Sequence, residues 1–407
     1  MEFMVCKDKI RDKGGVIIGY VLQDLRGNNI RIKADELKTL IILRKIKCLN
    51  LKIAADHRLI DRAYSEARIC NEGNIKAVVT KIRMLHKAGI EFIYRNALYI
   101  SEENGIILKE VFIGSGIFEI PEFVTGFFGT RTQENKVFKE CRNIKLFNKS
   151  SASDFNSLFY DCMHLENADL SSCDFSNVTD MGSLFDMCMG LKTVKINGST
   201  LQNVKTMERA FNNCFDLSIV DFGNTDISSL ENTSDMFYSC MSLLEVKANI
   251  VRAGRKPILS ERMFKCCVKL GVINIDVPNG LKLKNLQSMF SDCTSLSYID
   301  LSKVDTSDNK YLLHTFTNCI AIEKIELGKM TASKVEIMSE AFSNCKRLRK
   351  LDLSYFDTKD GVNMTKMFDK CSKLVVKVTK KFMKDKNITY EMYRRGRVKF
   401  IDIEEKE

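Results

Sequence analysis

The stretch SLFYDCMHL, residues 157–165, places Phe159, Cys162 and Leu165 at steps of three. A nucleophilic cysteine needs a base within reach, and a metal site needs further thiols or imidazoles close by. The role of this cysteine therefore depends on whether the pattern occurs once or many times along the chain.

The pattern occurs nine times at a nearly constant spacing. The interval is 26 residues everywhere except between Phe237 and Phe264, where it is 27. The phenylalanines are Phe159, Phe185, Phe211, Phe237, Phe264, Phe290, Phe316, Phe342 and Phe368. The cysteines are Cys162, Cys188, Cys214, Cys240, Cys267, Cys293, Cys319, Cys345 and Cys371. A degenerate copy precedes them at Phe138, Cys141 and Ile144. A fixed period of about 20 to 50 residues is the signature of a solenoid, so we expect both columns to be structural.

One repeat, NVTDMGSLFDMCMGLKTVKI (177–196), shows two kinds of periodicity. Val178, Met181 and Leu184 recur at helical spacing, with Asp180 as a possible helix cap. Val194 and Ile196 then alternate with polar residues, as in a strand. The sequence predicts an α/β solenoid, a right-handed stack resembling leucine-rich repeats. It contains about nine 26-residue repeats, each a short helix plus a short parallel strand, preceded by a small α+β domain.

The repeats also resemble a known bacterial family. MFSDCTSLSYIDLSKVDTSD (289–308) and AFSNCKRLRKLDLSYFDTKDGVNMTKMF (341–368) are similar to the units of the BspA-type leucine-rich repeat family. The resemblance covers residues of about 150–379. It implies a solenoid with a parallel strand face, macromolecular binding, and in many members surface adhesion.

Composition and repeat boundaries predict four segments. They are a basic α+β domain over 1–104, an N-terminal cap with the partial repeat over 105–150, the solenoid over 151–379, and a basic C-terminal cap or tail over 380–407. Within the first segment, the pattern predicts a strand pair over 15–33, helices over 34–45 and 74–89, a strand over 46–53, and a hairpin or strand pair over 91–100. In the ninth repeat, Lys377 and Thr379 replace apolar strand residues, which predicts the end of the stack.

Positive charge is concentrated at the two ends of the chain. The formal net charge is +11. Residues 1–100 hold 20 Lys and Arg against 11 Asp and Glu, and residues 371–407 hold 11 against 6. A basic domain can bind nucleic acid through phosphate contacts, or it can simply be well solvated. We therefore keep nucleic-acid association through residues 1–100 as an alternative function.

The outward positions of the predicted strands form the candidate binding surface. Solenoids commonly bind partners on their strand face, and aromatic side chains within a polar surround are typical of interfaces. The densest mixed patch comprises Tyr298, Asp300, Lys324, Glu326, Lys350 and Asp352. The irregular stretch 248–263, inside the 27-residue interval, is either a loop on the binding face or an accommodated irregularity.

No catalytic or cofactor-binding constellation is found in the sequence. There is no H-E-x-x-H, no phosphate-binding loop and no C-x-x-C pair. The odd total of 15 cysteines, with one per repeat, favours reduced and buried thiols. The leading interpretation is a non-enzymatic protein-binding scaffold without cofactor or metal. We expect a cytoplasmic protein without membrane insertion, because no signal peptide or membrane span is recognised. A surface adhesin exported by an unconventional route is the remaining alternative.

Overall fold

The computed structural model divides the chain into two compact units, Met1–Ile113 and Gly114–Glu407. The structure describes residues 2–11, 13, 17–24, 29–33, 46–49, 92–94, 97–102, 105–111, 115–129, 137–139, 141–196, 200–274, 280–328, 330–359, 361–379, 382 and 398–403. The limits of the four segments predicted from the sequence stay a prediction.

The described part of the first unit consists of short strands. They are β1 (Glu2–Arg11), β2 (Ile17–Asp24), β3 (Asn29–Lys33), β4 (Ile46–Leu49), β5 (Phe92–Tyr94), β6 (Ala97–Glu102) and β7 (Gly105–Val111). Strand β2 pairs with β3 and with β1 in antiparallel fashion, and β4 pairs with β1 in parallel. Strands β5, β6 and β7 form antiparallel pairs. The predicted strand pairs over 15–33 and 91–100 are present, whereas the helices predicted over 34–45 and 74–89 lie outside the described residues.

The second unit is a stack of turns, and most of its strands pair in parallel with those of neighbouring turns. The first half contains β8 (Ser115–Ile120), β9 (Val124–Phe127), β10 (Asn143–Asn148), β11 (Asn167–Asp169), β12 (Thr193–Lys195), β13 (Ile219–Ile227), β14 (Glu245–Ala253) and β15 (Ile258–Leu259). The second half contains β16 (Val272–Asn274), β17 (Leu281–Lys284), β18 (Tyr298–Asp300), β19 (Val304–Asp305), β20 (Lys324–Glu326), β21 (Lys350–Asp352), β22 (Val375–Thr379) and β23 (Lys399–Ile403).

Most of these strands form two six-stranded parallel sheets. The first sheet has the order β14-β13-β12-β11-β10-β8, and the second sheet has the order β16-β18-β20-β21-β22-β23. Each residue pairs with its equivalent in the next repeat, for example Ala168 with Val194 and Val194 with Val220. A third, minor sheet contains β15, β17 and β19. The second unit is thus a parallel solenoid of about ten turns, as the repeat period predicts.

The phenylalanine column fills the interior as a continuous stack of rings. All nine rings are buried, with relative exposures from 0% to 7%. Neighbouring centroids lie 4.8–5.8 Å apart with nearly parallel planes, from Phe159–Phe185 to Phe342–Phe368. Phe138 of the degenerate copy extends the stack at 4.6 Å from Phe159. Each ring is therefore packed between two turns and contributes to the contact between them.

The cysteine column connects each turn to the one before it. The Cys188 thiol donates a hydrogen bond to the Phe159 carbonyl oxygen at 2.8 Å. The same bond recurs from Cys214 to Cys371, at 3.0–3.2 Å, always to the phenylalanine carbonyl of the preceding repeat. The spacing seen in SLFYDCMHL thus has a structural explanation: the ring fills the turn, and the thiol satisfies a buried carbonyl of its neighbour.

The prediction of a short helix in each repeat is wrong. No α-helix occurs within residues 141–196, 200–274, 280–328, 330–359 and 361–379, and consecutive tight turns take its place. Two non-glycine residues per repeat adopt positive φ, such as Ser157 (60°) and Asp161 (55°), which helical backbone excludes. The Phe159 amide donates a hydrogen bond to the carbonyl oxygen of Leu184 in the next repeat. The Tyr160 amide instead donates to the Ser157 carbonyl oxygen within its own turn. Half of the amides in each turn are therefore used between repeats, so the spacing of three and four arises without a helix.

The stack continues beyond the ninth repeat. Strand β22 pairs with β21 on one side and with β23 on the other. Its buried residues are Val376 and Val378, one position earlier than the alignment of the preceding repeats predicts, so Lys377 lies on the outward face. The polar residues that suggested an end of the stack result from this shift of one residue.

Candidate functional site: the outward face of the second sheet

The structure brings all six residues of the predicted patch onto one sheet. Tyr298 pairs with Lys324, and Lys324 pairs with Lys350, so these three form one outward row across β18, β20 and β21. Asp300 and Glu326 are paired in the next row, in which Asp352 is the equivalent residue on β21. The residues between the two rows, such as Ile299 and Leu351, are buried. Alternation along each strand therefore separates a core face from an exposed face.

Tyr298, Lys324 and Glu326 form a small interacting group on this face. The Lys324 Nζ lies 5.8 Å from the centroid of the Tyr298 ring, within cation–π range. The same ammonium forms an ion pair with Glu326, and this contact raises the pKa of Lys324. Both members of the ion pair are well exposed, so we expect it to add little stability. Tyr298, Lys324 and Glu326 thus present an aromatic ring, a cation and a carboxylate side by side on the outward face.

Lys350 is the exposed cation at the end of this row. The Lys350 side chain is exposed, and its ammonium forms no ion pair or hydrogen bond with the described residues. In the neighbouring row, the Lys377 Nζ lies 3.7 Å from the Asp352 Oδ2. Lys350 is thus the cation of the patch that remains available to a carboxylate on another molecule.

Asp300 and Asp352 have a structural role that sequence reasoning missed. The Asp300 carboxylate accepts a hydrogen bond from the Ser302 amide at 2.8 Å, and Asp352 accepts one from Ser354 at 3.0 Å. Asp169 and Asp221 make the equivalent bond in earlier repeats. The Asp-Leu-Ser motif could have revealed this, because an aspartate that bonds an amide two residues later closes a turn. Hydrogen bonds from Ser302 lower the pKa of Asp300, so this carboxylate is ionised and already engaged.

The first sheet carries a shallow depression that sequence reasoning did not single out. It has a volume of about 380 Å³. Its walls come from outward residues of β8 and β10–β12, namely Gly116, Ile117, Asn143, Lys145, Asn167, Asp169, Thr193 and Lys195. Ile117 is 69% exposed, while Asn143, Asn167 and Thr193 are linked by side-chain hydrogen bonds. The Asn143, Asn167 and Thr193 side chains therefore satisfy one another within this depression.

The irregular interval coincides with a break between the two sheets. Strand β14 ends the first sheet and β16 begins the second, and within residues 245–274 and 280–284 no ladder joins them. On the opposite side the stack is uninterrupted: Phe237 and Phe264 are stacked at 5.4 Å, and Cys267 donates to Phe237 at 3.1 Å. The solenoid is therefore continuous along its phenylalanine column and open along its strand face at this single repeat.

The cysteines are placed for packing rather than for chemistry. The nine cysteines of the column form no disulfides with one another, and they are 0–3% exposed. Burial raises the pKa of the column thiols from Cys188 to Cys371, to about 11 for Cys371, so the reactive thiolate is disfavoured. Within the described residues, no three His, Cys, Asp or Glu side chains are grouped so as to hold a metal ion. In the same part of the chain, no helix has the length and hydrophobicity needed to cross a lipid bilayer.

The strand registers and the interior columns define a parallel solenoid of the leucine-rich-repeat class. The chain belongs to the family described as "Mycoplasma protein of unknown function, DUF285", which matches residues 130–249 and 260–394. The interruption between the two matches, 250–259, lies next to the break between the sheets. No significant match is found among curated proteins.

Several solved structures are similar to this chain at low identity. A leucine-rich repeat protein of T. pallidum is 15% identical, with 63% of this chain and 90% of that chain covered and a TM-score of 0.30. A leucine-rich cell surface protein of Faecalibacterium prausnitzii is 14% identical, with coverage of 76% and 94% and a TM-score of 0.29. A leucine-rich repeat protein of Eubacterium ventriosum is 12% identical, with coverage of 68% and 94% and a TM-score of 0.27.

Proposed function

We propose that the solenoid is a non-enzymatic scaffold that binds a protein partner on the outward face of the second sheet. The observation that carries the proposal is the row formed by Tyr298, Lys324 and Lys350 on a parallel sheet with one face in solvent. Parallel sheets elsewhere are usually covered on both faces, so an exposed one is a surface available for contact. The row combines the aromatic ring of Tyr298 with Lys350, a cation that has no ion-pair partner among the described residues.

The chemistry of the row favours a partner segment with an apolar side chain beside a carboxylate. The apolar side chain would pack on the Tyr298 ring and against Val272, which pairs with Tyr298 and is 51% exposed. The carboxylate would pair with Lys350. Tyrosine and charged residues at the centre of an interface commonly provide much of its binding energy. Asp300 and Asp352 would orient the strands through their turns and need not touch the partner.

A matched pair of triple variants tests this proposal. Partners captured with the full chain are identified by mass spectrometry, and one is purified for titration against Tyr298→Ala/Lys324→Ala/Lys350→Ala. We expect its affinity to fall by about thirtyfold or more, equivalent to about 2 kcal/mol. The control, Tyr355→Ala/Lys334→Ala/Lys359→Ala, removes the same residue types from exposed turns and should bind as the parent does. Equal binding by both triples would assign the interface to another surface.

The compartment is part of the same proposal. We propose a cytoplasmic protein, because the column cysteines from Cys188 to Cys371 donate to carbonyl oxygens as thiols and a reducing compartment maintains thiols in that state. Cell fractionation followed by surface biotinylation tests it. Recovery in the soluble fraction without biotin agrees with the proposal, whereas labelling of intact cells would favour the adhesin alternative.

A further inference from the structure

The break between β14 and β16 opens into an apolar cavity of about 180 Å³. Its lining comes from both sides of the break. The strands contribute Phe222, Thr225 and Ile227 of β13, Val246, Ala248 and Ile250 of β14, and Ile273 of β16. The opposite wall includes four methionines, Met207, Met236, Met263 and Met289. Methionine adapts its shape readily, so this wall can adjust to a ligand.

The opening is visible in the exposure of residues that face inward. In regular repeats the equivalent strand residues are sealed: Val220 and Ile299 are 0% exposed. At the break, Val246 and Ile273 occupy the same position and are both partly exposed. The cavity is therefore reached from solvent through the gap where the ladder between the two sheets is missing.

Two features of the sequence produce the gap. The position of Ala248 holds a large apolar residue in other repeats, such as Leu170, Ile196 and Leu301. In addition, β13 and β14 are nine residues long, whereas β11, β12, β16, β18, β20 and β21 have three each, and their pairing contains bulges after Asp221 and Thr225. Bulges bend a strand and increase its twist, so β14 diverges from the stack instead of pairing onward.

The return of the chain after β14 is fixed by a glycine. A Cβ at Gly254 would lie 2.3 Å from the Ser228 carbonyl oxygen, a distance that no other residue could accommodate without displacing the backbone. The wide arrangement of β13 and β14 is thus specified by the sequence. We conclude that the cavity is a feature of this fold and does not result from loose packing.

The polar groups of the cavity require no partner from a ligand. The Thr225 hydroxyl donates to the Phe222 carbonyl oxygen at 2.7 Å, and the Thr233 hydroxyl donates to Leu259 at 3.0 Å. A cavity that offers only apolar contacts stays dry and takes an apolar ligand; one of about 150 Å³ holds benzene. By that scale the present cavity holds about six or seven carbon atoms. Because it is open at one end, a longer molecule could leave its polar end in water.

We infer that this cavity binds the hydrocarbon tail of a fatty acid, with the carboxylate outside the gap. An excess of positive charge around the lining favours an anionic head group: residues 241–290 contain nine Lys and Arg against three Asp and Glu. Residues 101–370 as a whole carry 32 Lys and Arg against 35 Asp and Glu, so this excess is local. Four of the nine, Lys247, Lys256, Arg262 and Lys282, already form ion pairs, which leaves five to attract a carboxylate. The site is separate from the Tyr298 row, and the inference does not depend on a protein partner.

Titration calorimetry of the full chain with unbranched carboxylates from butanoate to dodecanoate tests the inference. Each methylene that enters the cavity should tighten binding by about fourfold, equivalent to about 0.8 kcal/mol. The gain should stop once the tail fills the cavity, after about seven carbons. A gain that continues to dodecanoate would indicate general adsorption to the surface and would contradict the site, as would the absence of any binding. Octyltrimethylammonium has a similar tail and a positive head, and it should bind more weakly than octanoate; equal binding would overturn the fatty-acid assignment.

Substitutions on a single strand locate the site. Ala248→Phe places a ring in the cavity and should abolish octanoate binding, whereas Asn249→Phe places the same ring on the other face of β14 and should leave binding unchanged. Ile250→Phe provides a second filling variant in case the first does not fold, which circular dichroism would reveal. If folded Ala248→Phe and Ile250→Phe both bind octanoate as the parent does, the cavity is not the site.

Discussion

At the scale of single residues, the fold depends on two side chains that recur once per turn. The phenylalanine ring packs on the rings of the turns before and after it, and the cysteine thiol donates to a buried carbonyl oxygen. Neither could be assigned a chemical role from one copy of the pattern. Their recurrence at a fixed period is what made a structural role predictable from the sequence.

Truncation of one ring should be costly. Phe290 is 0% exposed and lies between Phe264 and Phe316, at 5.8 and 5.3 Å. We expect Phe290→Ala to lower the free energy of unfolding by about 3–5 kcal/mol, and to broaden the transition because coupling between turns is weakened. Urea denaturation followed by circular dichroism measures both effects. Tyr355→Ala, at a half-exposed position, is the control and should change stability by less than about 0.5 kcal/mol.

The buried thiols predict a loss of stability at alkaline pH. Burial raises the pKa of Cys371 from 9.0 to about 11, and it raises the pKa of the column thiols from Cys188 to Cys345 as well. Below pH 9 both folded and unfolded chains keep these protons. Above it the unfolded chain loses them first, so the free energy of unfolding falls as pH rises, by up to about 1.4 kcal/mol per pH unit for each thiol.

Denaturation midpoints between pH 8 and 11 measure this slope. A variant with Cys293, Cys319 and Cys345 replaced by serine has fewer titrating groups and should show a shallower decline. If the parent and this variant have the same slope, the thiols are not the groups that titrate.

At the scale of elements, the sequence indicated the strands correctly and the connecting segments wrongly. Alternation of Val194 and Ile196 with polar residues identifies a strand in any context. The spacing of Val178, Met181 and Leu184 is shared by a helix and by successive tight turns, so periodicity alone could not distinguish them. The two structures differ in the hydrogen bonds that alternate amides donate to the next repeat. These bonds join residues about 25 positions apart in sequence, so local periodicity does not reveal them.

The aspartates of the strand face belong to turns, and this gives a prediction that separates structure from binding. Asp300→Ala removes the acceptor for the Ser302 amide and should destabilise the protein by about 1 kcal/mol. Asp300→Asn retains an acceptor oxygen and should be close to neutral, although it removes the charge. Urea denaturation of the two variants compares them. If loss of the charge alone is as costly as loss of the acceptor, the turn is not the role of this residue.

At the scale of the whole molecule, the described part of the array is one stack whose strand face is interrupted between β14 and β16. Repeat counting predicted the solenoid and marked the 27-residue interval as irregular, but left open whether it was a loop or an accommodated insertion. The structure shows why the sequence could not decide. Strand β13 pairs with β14 through two register shifts, and within the described residues no ladder joins β14 to β16, while the ring stack continues unchanged. The outcome depends on neighbouring turns and not on the insertion itself.

The candidate site was only partly predictable for a related reason. Outward strand positions follow from alternation, so Tyr298, Lys324 and Lys350 could be placed on one face before their register was known. The engagement of Asp300 and Asp352 in turns, and the cavity behind Ala248, depend on atoms brought together by the stacking. These features emerge at the level of packing, which a single sequence does not specify directly.

The most direct test of the central claim, that the repeated cysteines are interior packing groups, is alkylation of the native full chain with iodoacetamide, read residue by residue by mass spectrometry. The account predicts that the nine column cysteines, all 0–3% exposed, stay unmodified until the chain is denatured. The partly exposed Cys266 should be modified in the native protein, before any of those nine. Rapid labelling of Cys293, Cys319 or Cys345 in the native protein would contradict it.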